Sequence, residues 1–149
     1  MHQKRQDTAH LIDGTITRRI IGAFFEVYNH LAHGQFESVC RKALLHEMHL
    51  RGLTASEEAN VEVRYKEIVV GLFRVDLLVE NRVVVELKST PTLSPADRRQ
   101  LKHYLRVTGL EVGLVLHFGH EPRFERSINA ELRHSKERTP SEDNPASSG

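Results

Sequence analysis

Two acids and a lysine stand in the most apolar stretch of the sequence, "FRVDLLVENRVVVELKS" at residues 73–89. They are Asp76, Glu86 and Lys88. Burying an unpaired charge is expensive, so charges in such a stretch need partners. Two neighbouring carboxylates repel each other unless they share a cation, and carboxylate oxygens suit the hard cations Mg²⁺ and Mn²⁺. These residue types therefore point to metal-assisted chemistry on phosphate esters.

Strand alternation predicts that the three charges meet on one face of a hairpin. Glu86 and Lys88 are two residues apart, so they share a face of their strand. A turn around Asn81 sets Asp76 beside Glu86, with Cβ atoms roughly 5 Å apart. Lys88 then lies roughly 6–7 Å further along the strand, where it could hold an attacking water or stabilise charge on a phosphorane. The opposite face of the first strand is predicted to be apolar: Phe73, Val75, Leu77 and Val79.

A structural ion pair is the competing interpretation of the same residues. Asp76 or Glu86 could pair with Lys88 or with Arg74, or this face of the sheet could be solvated. Ion-pair networks use the same residue types without catalysing a reaction. The spacing alone does not choose between these interpretations.

Hydrophobic periodicity predicts the elements that position this hairpin. Helices are expected from Asp13 to about Leu31, from Phe36 to Arg51 and over about 95–108, and strands at 61–65, 68–79, 82–88 and 112–118. Residues 54–60 read as a polar connector, and residues 123–129 as a last edge element. The inner side of the second helix is predicted to carry Phe36, Val39, Cys40, Ala43, Leu44, Glu47 and Met48. The order of elements predicts an α/β fold, a single mixed β-sheet flanked by helices.

Length and composition favour one cytoplasmic domain. The 149 residues predict a polar N-terminal lead at 1–12, a domain at 13–132 and a disordered, Ser- and Pro-containing tail at 133–149. A net charge of +1 excludes a strongly basic coat protein, so any basic binding face must be local. The single cysteine allows no internal disulfide. The N-terminus is too polar for a secretory signal, and no stretch is long enough to span a membrane.

At the acid pair the sequence resembles the PD-(D/E)xK nuclease superfamily, in which an Asp on one strand precedes Glu/Asp-x-Lys on the next. Here these are Asp76 and "ELK" at 86–88. Within that superfamily it resembles the GxxExxY family, through "GQFESVC" at 34–40 and the segments around it. Those segments are "IIGAFFEVYNHLAHG", "RVDLLVENRVVVELKS", "QLKHYLRVTG" and "VGLVLHFG". The resemblance spans roughly residues 12–130.

The resemblance implies a restriction-endonuclease-like αβββαβ core with Mg²⁺ or Mn²⁺ as cofactor. Glu37 would join Asp76 and Glu86 as a metal ligand, and Lys88 would be the catalytic lysine. Gln100 and Tyr104 would face substrate phosphates or brace the site. By itself, an acid such as Glu37 in a first helical turn is usually explained by the helix dipole.

The sequence departs from the GxxExxY family at three positions. Cys40 stands where the family has Tyr, Asp97 where it often has His, and His117 where it usually has Asn. None of the three replaces an implied metal ligand. The departures bear on packing near Glu37 and on substrate recognition.

The third predicted helix also carries a basic cluster: Arg98, Arg99, Lys102 and Arg106. Lysine and arginine bind nucleic-acid phosphates without sequence preference, which makes Arg98 and Lys102 candidate substrate contacts. A solvated helix face is an equally good interpretation. No aromatic stacking platform is evident beside the cluster in the sequence, so specificity for single strands is not predicted.

Ten histidines invite a zinc interpretation, and the pairs at 30/33 and 46/49 have helical spacing. Neither pair has the flanking acid of the HExxH motif, and surface histidines fit better. The main hypothesis is therefore a Mg²⁺-dependent nuclease that hydrolyses phosphodiester bonds in DNA or RNA. The alternative is a non-catalytic module of the same fold that binds nucleic acid or protein. A protein partner or a second copy of the chain could help so small a domain to hold its substrate.

Overall fold

The structure is a computed structural model that describes the backbone of residues 3–129 and the side chains of residues 14–129. Within these residues the chain forms three helices and five strands. They are α1 (Gln3–Leu31), α2 (Glu37–Leu50), β1 (Ala55–Tyr65), β2 (Ile68–Val79), β3 (Val83–Lys88), α3 (Pro95–Thr108), β4 (Val112–Phe118) and β5 (Pro122–Ile128). The predicted tail at 133–149 lies outside the described residues. In the described part of the chain no helix is both long and apolar enough to cross a membrane.

The five strands form one sheet in the order β1-β2-β3-β4-β5. β3 and β4 run parallel, with α3 as their crossover, while the other neighbouring strands are antiparallel. The predicted α/β class with a single mixed sheet is therefore confirmed. The β2–β3 connection is the predicted tight turn, because Glu80 and Asn81 have φ angles of 54° and 53°. Three residues, 80–82, separate the paired Val79 and Val83, and the two positive φ angles bring the Arg82 N–H within 3.0 Å of the Val79 carbonyl oxygen, to which it donates.

Two apolar cores hold the helices against the sheet. The first lies under α1 and α2 and includes Phe24, Leu44, Leu77 and Leu116. The second lies under α3 and consists of Val75, Val84, Leu101, Leu105 and Val115, with partly buried neighbours. Each fully buried Leu or Phe side chain favours folding by about 1.5–3 kcal/mol. The hairpin that carries the acids is thus clamped between two helical layers.

Two element boundaries differ from the predictions. The first helix begins at Gln3 rather than at Asp13, so most of the predicted polar lead has helical backbone. Residues such as Gln, Lys and Arg are good helix formers, and an apolar face is not needed to continue a helix. β1 begins at Ala55, inside the predicted connector, because Ala55 pairs with Val79 of β2. Strand pairing here outweighs the low strand preference of "SEEAN".

The inner face of α2 is narrower than predicted. Cys40, Leu44 and Met48 are buried, but Phe36 is 82% exposed and Val39 is 40% exposed. Phe36 occupies the N-cap position with an extended backbone, so its side chain leaves the direction of the helix face. The apolar stripe of α2 therefore follows one i, i+4 row of side chains.

Candidate active site

Asp76 and Glu86 are neighbours across the β2–β3 hairpin. The register pairs Leu78 with Val84 and Leu77 with Val85, and its next step brings Asp76 opposite Glu86. The Asp76 carboxylate accepts a hydrogen bond from the backbone N–H of Leu87 at 2.8 Å. In the other direction, the Asp76 backbone N–H donates to Glu86 Oε1 at 3.4 Å. Each acid is thus held by the backbone of the strand that carries the other.

The Asp76–Glu86 pair carries a strong electrostatic signature. The pKa of Glu86 is raised to about 8, first by burial and then by the Asp76 carboxylate beside it. A carboxyl group with that pKa is mostly protonated at neutral pH. The proton stands in for a cation between the acids, because two adjacent buried carboxylates do not both ionise without one. The donor set therefore fits a divalent metal ion.

The buried side chains of β2 change from one side of the sheet to the other at Asp76, and those of β1 do so at Glu58. Val75 lies in the core under α3, whereas Leu77 lies in the core under α1 and α2. Strict alternation would have put both residues on one face, so that prediction was wrong. In β1 the pairing skips Glu58, the residue opposite Asp76, which has a φ angle of 49°. This irregular step turns the strand and places Asp76 between the two layers.

Glu37, the first residue of α2, lies close enough to the acid pair to interact with it. Its pKa is raised first by burial and next by the Asp76 carboxylate, while Lys88 and Arg41 act in the opposite direction. Within residues 14–129, however, no three acidic, His or Cys side chains are grouped tightly enough to hold a metal ion. Mg²⁺ commonly keeps several waters and takes one or two carboxylates plus phosphate oxygens. Asp76 and Glu86 would meet that requirement.

Lys88 ends β3 and has Asp97 as its partner. Lys88 Nζ lies 3.6 Å from the Asp97 carboxylate, and both side chains are partly exposed. Asp97 is also the N3 residue of a capping box, in which Ser94 and Asp97 satisfy each other's backbone N–H groups. The backbone N–H of Ser94 is the main cause of the lowered pKa of Asp97. This ion pair was not predicted, although the Ser-x-x-Asp spacing after residue 93 is a recognisable capping signal.

The four predicted substrate contacts on α3 fall on two flanks of the helix. Gln100 Nε2 donates to the Tyr104 hydroxyl at 2.9 Å, and the Tyr104 ring packs on Phe73 of β2. Arg98 instead reaches toward β5, where it pairs with Glu125 at 2.5 Å. Lys102, one turn beyond Arg98, is exposed. The structure therefore brings Gln100 and Tyr104 to the side of the acid pair, but not Arg98.

An arginine of α2 links the acid region to β1, and it was not predicted. Arg41 contacts Glu57 at 3.2 Å and Glu58 at 3.4 Å, and its side chain is 15% exposed. Glu58 in turn pairs with Arg74 at 2.7 Å. This network holds the irregular step of β1 opposite Asp76. Its only sequence signal is the i, i+4 spacing of Arg41 from Glu37.

Cys40 and His117, which depart from the GxxExxY pattern, are both buried. The Cys40 thiol is buried, and burial followed by the Glu37 carboxylate raises its pKa, which makes it a poor nucleophile. His117 is the β4 neighbour of Lys88 and is 4% exposed. Its Nε2 donates to the Thr90 carbonyl oxygen and so fixes the loop after β3. A cavity of about 810 Å³ opens beside His117, between the 91–93 loop and the β4–β5 turn. It does not lie over the acid pair.

Comparison with known proteins agrees with this arrangement. The profile of the PD-(D/E)XK nuclease superfamily matches residues 14–129. The chain therefore belongs to the PD-(D/E)XK nuclease superfamily. The match is at the level of the superfamily and names no narrower group. No curated protein matches the chain.

Two solved structures are similar at low sequence identity. The crystal structure of SSO0001 has a TM-score of 0.47 and 17% identity, covering 67% of this chain and 55% of that one. An alkaline exonuclease, LHK-Exo, from Laribacter hongkongensis has a TM-score of 0.42 and 13% identity, covering 61% of this chain and 55% of that one. The chain thus spans about half the length of these two proteins.

Proposed function

We propose that this protein is a metal-dependent nuclease of the GxxExxY group that hydrolyses phosphodiester bonds in nucleic acid, with Mg²⁺ or Mn²⁺ as cofactor. One observation carries the proposal: a half-buried acid pair, Asp76 and Glu86, in which the pKa of Glu86 is raised to about 8, at the strand end that carries Lys88. Membership of the nuclease superfamily supports it. A simple ion pair with Lys88 would lower the pKa of Glu86, whereas burial and the Asp76 carboxylate raise it.

Asp76 and Glu86 would hold the metal ion, with Glu37 adding negative charge from the α2 side. When held by these residues, Mg²⁺ or Mn²⁺ would supply positive charge to the phosphate and would make a water molecule more acidic. Lys88 orients the attacking water and offsets negative charge that develops on the phosphoryl oxygens. Asp97 keeps the Lys88 ammonium aimed at the site through the 3.6 Å contact.

The flanks of α3 would contact the substrate backbone. Gln100 and Tyr104 form one hydrogen-bonded unit, so each can still offer a donor toward a phosphate oxygen. Lys102 adds a positive charge that binds phosphates without sequence preference. Arg98 takes a smaller part than predicted, because Glu125 already neutralises its guanidinium.

The test is a cleavage assay on labelled DNA and RNA, single- and double-stranded, with Mg²⁺ or Mn²⁺. We expect cleavage that EDTA stops and that Glu86→Ala or Lys88→Ala lowers by roughly 10²–10³-fold or more. Lys66→Ala is the matched control, because Lys66 lies in the β1–β2 turn. Circular dichroism should show each variant folded. Metal-dependent cleavage that survives Lys88→Ala contradicts the assigned chemistry.

A non-catalytic module of the same fold is the second candidate. The observation that favours it is the lack, within residues 14–129, of three side chains grouped to hold a metal ion. Calorimetric titration with Mg²⁺ and Mn²⁺ separates the two functions. Saturable binding that Glu86→Gln weakens supports the nuclease, and no binding of either ion supports the module.

A further inference from the structure

Three rings from two elements meet where α3 packs on β2. Phe73 of β2 lies 4.8 Å from the Tyr104 ring and 6.1 Å from the His103 ring, measured between centroids. His103 is exposed, while Phe73 and Tyr104 are half-buried. We refer to these three residues as the aromatic cluster. They were not recognised in the sequence because Phe73 is thirty positions from His103.

Residue spacing along two elements indicates how far the aromatic cluster lies from the residues of the proposed site. Phe73 precedes Asp76 by three strand residues, or about 10 Å. Tyr104 follows Asp97, the partner of Lys88, by seven helical residues, which is also about 10 Å. The cluster therefore lies along one track that starts at the proposed cleavage site. About 10 Å corresponds to roughly three stacked nucleotides at 3.4 Å each.

The surroundings of the aromatic cluster combine hydrogen-bond donors and positive charge. Gln100 lies between Asp97 and Tyr104 on the same flank of α3 and is bonded to the Tyr104 hydroxyl. Arg106 lies 3.5 Å from His103 Nδ1 and is exposed. Rings that stack with bases, next to cations that contact the backbone, are the combination used to bind single-stranded nucleic acid. Bases of a duplex are paired and stacked, so they are not available to such rings.

We propose that the aromatic cluster stacks with unpaired bases, and that the substrate is a single strand that runs from the acid pair along the flank of α3 that faces β2. This inference rests on the proposed nuclease function and specifies its substrate class. Phe73 and His103 are then binding residues for bases, and Tyr104 serves both the bases and Gln100. The competing explanation is that Phe73 and Tyr104 simply pack α3 against β2.

The experiment measures binding without cleavage. Fluorescence anisotropy of a labelled 12-nucleotide strand, of the matched duplex and of a 12-nucleotide strand without bases is recorded in EDTA with the full chain. We expect the intact single strand to bind at least tenfold more tightly than the duplex or the strand without bases. Phe73→Leu and His103→Ala should each weaken single-strand binding roughly tenfold and leave duplex binding unchanged.

Phe73→Leu keeps an apolar side chain against α3, so it separates stacking from packing. His103→Ala removes an exposed ring, so it takes little buried packing from the fold. Tyr65→Ala is the matched control, because it removes a ring that is 63% exposed at the far end of β1. We expect that variant to bind like the wild type. Single-strand affinity that is equal in wild type, Phe73→Leu and His103→Ala overturns the inference.

Failure of the inference and failure of the nuclease function give different results. A chain that cleaves, but cleaves duplex and single strand equally and does so unchanged in Phe73→Leu, overturns the inference and keeps the nuclease. A chain that cleaves nothing, but whose single-strand binding depends on Phe73 and His103, keeps the binding surface and overturns the nuclease. Lys88→Ala should abolish cleavage and retain single-strand binding if both proposals hold.

Discussion

Asp76 is joined to Leu87 by a 2.8 Å hydrogen bond from the Leu87 backbone N–H to the Asp76 carboxylate. The bond ties one acid of the site to the strand that carries the other, so the separation of the two acids does not depend on flexible side chains alone. Glu86 accepts a backbone N–H bond in return, so both acids are fixed by the hairpin itself. Burial and the adjacent Asp76 carboxylate raise the pKa of Glu86 to about 8 in the metal-free protein.

The stability of the metal-free protein should fall as the pH rises. The folded state keeps a proton on Glu86 up to about pH 8, whereas the unfolded chain loses it near the ordinary value of 4.5. Between these values the folded state binds more protons, so the free energy of unfolding drops by at most about 1.4 kcal/mol per pH unit. Urea unfolding in EDTA at pH 5, 6.5 and 8 measures the slope.

Glu86→Gln is the control for that slope, because glutamine does not titrate. The variant should show a flatter dependence on pH over the same range. Mg²⁺ should add stability at pH 8 and little at pH 5, where the proton competes with the ion for the carboxylate. Identical slopes for wild type and Glu86→Gln would show that Glu86 is not the group that titrates.

Asp97→Asn and Ser94→Ala should separate the position of Lys88 from the capping of α3. The side-chain amide that Asp97→Asn introduces can still accept the bond from the Ser94 backbone, but it lacks the charge that faces Lys88. We expect Asp97→Asn to cost less than about 1 kcal/mol of stability and to lower cleavage roughly 10–100-fold. Ser94→Ala removes the cap, costs about 1 kcal/mol and leaves cleavage near wild type at 25 °C. Equal cleavage by both variants would refute a role for the ion pair.

Gly113→Ala should be destabilising because of one close approach. A Cβ atom at Gly113 of β4 would lie 2.6 Å from Leu101 Cδ1, inside the core under α3. We expect a loss of about 1–3 kcal/mol from this overpacking. Leu101→Ala alone should cost about 2–5 kcal/mol. The double variant should lose clearly less than the sum of the two, since the new methyl group fills part of the cavity, and urea unfolding of all four proteins tests this. Strict additivity would mean that the two side chains do not compete for space.

Val70→Thr and Val75→Thr make the same change at two places in β2. Val70 is 60% exposed, so its replacement should alter the free energy of unfolding by less than about 0.5 kcal/mol. Val75 is 1% exposed in the core under α3, and a hydroxyl there should cost about 1–3 kcal/mol. Thermal and urea unfolding compare the two. A large loss at Val70 would indicate that another part of the protein, or a second copy, covers this end of the β1–β2 ribbon.

The hairpin could be predicted from the sequence because its signals are local. The "EN" turn, the apolar alternation of β3 and the spacing of Glu86 and Lys88 determine which residues meet, and α3 has both a capping Ser94 and a terminal glycine, Gly109. The crossing of β2 at Asp76 could not be predicted in that way. It depends on Glu58 of the neighbouring strand, whose positive φ no local pattern indicates.

Contacts between distant elements account for the other residues that were missed. The Lys88–Asp97 pair, the Arg41–Glu58 contact and the aromatic cluster each join side chains from two elements. Charge and ring types are visible in a sequence, but their partners depend on how α2 and α3 lie on the sheet. Arg98 is another example: the sequence showed that it is basic, but not that it pairs with Glu125 of β5.

The capping box of α3 makes the position of Lys88 depend on folding. Asp97 starts the helix and holds Lys88, so the reactive lysine acquires its setting only after α3 has formed and docked on the sheet. On the proposed function, a newly made or partly unfolded copy in which α3 is not docked would cleave more slowly than the native protein, because its Lys88 lacks the carboxylate that positions it.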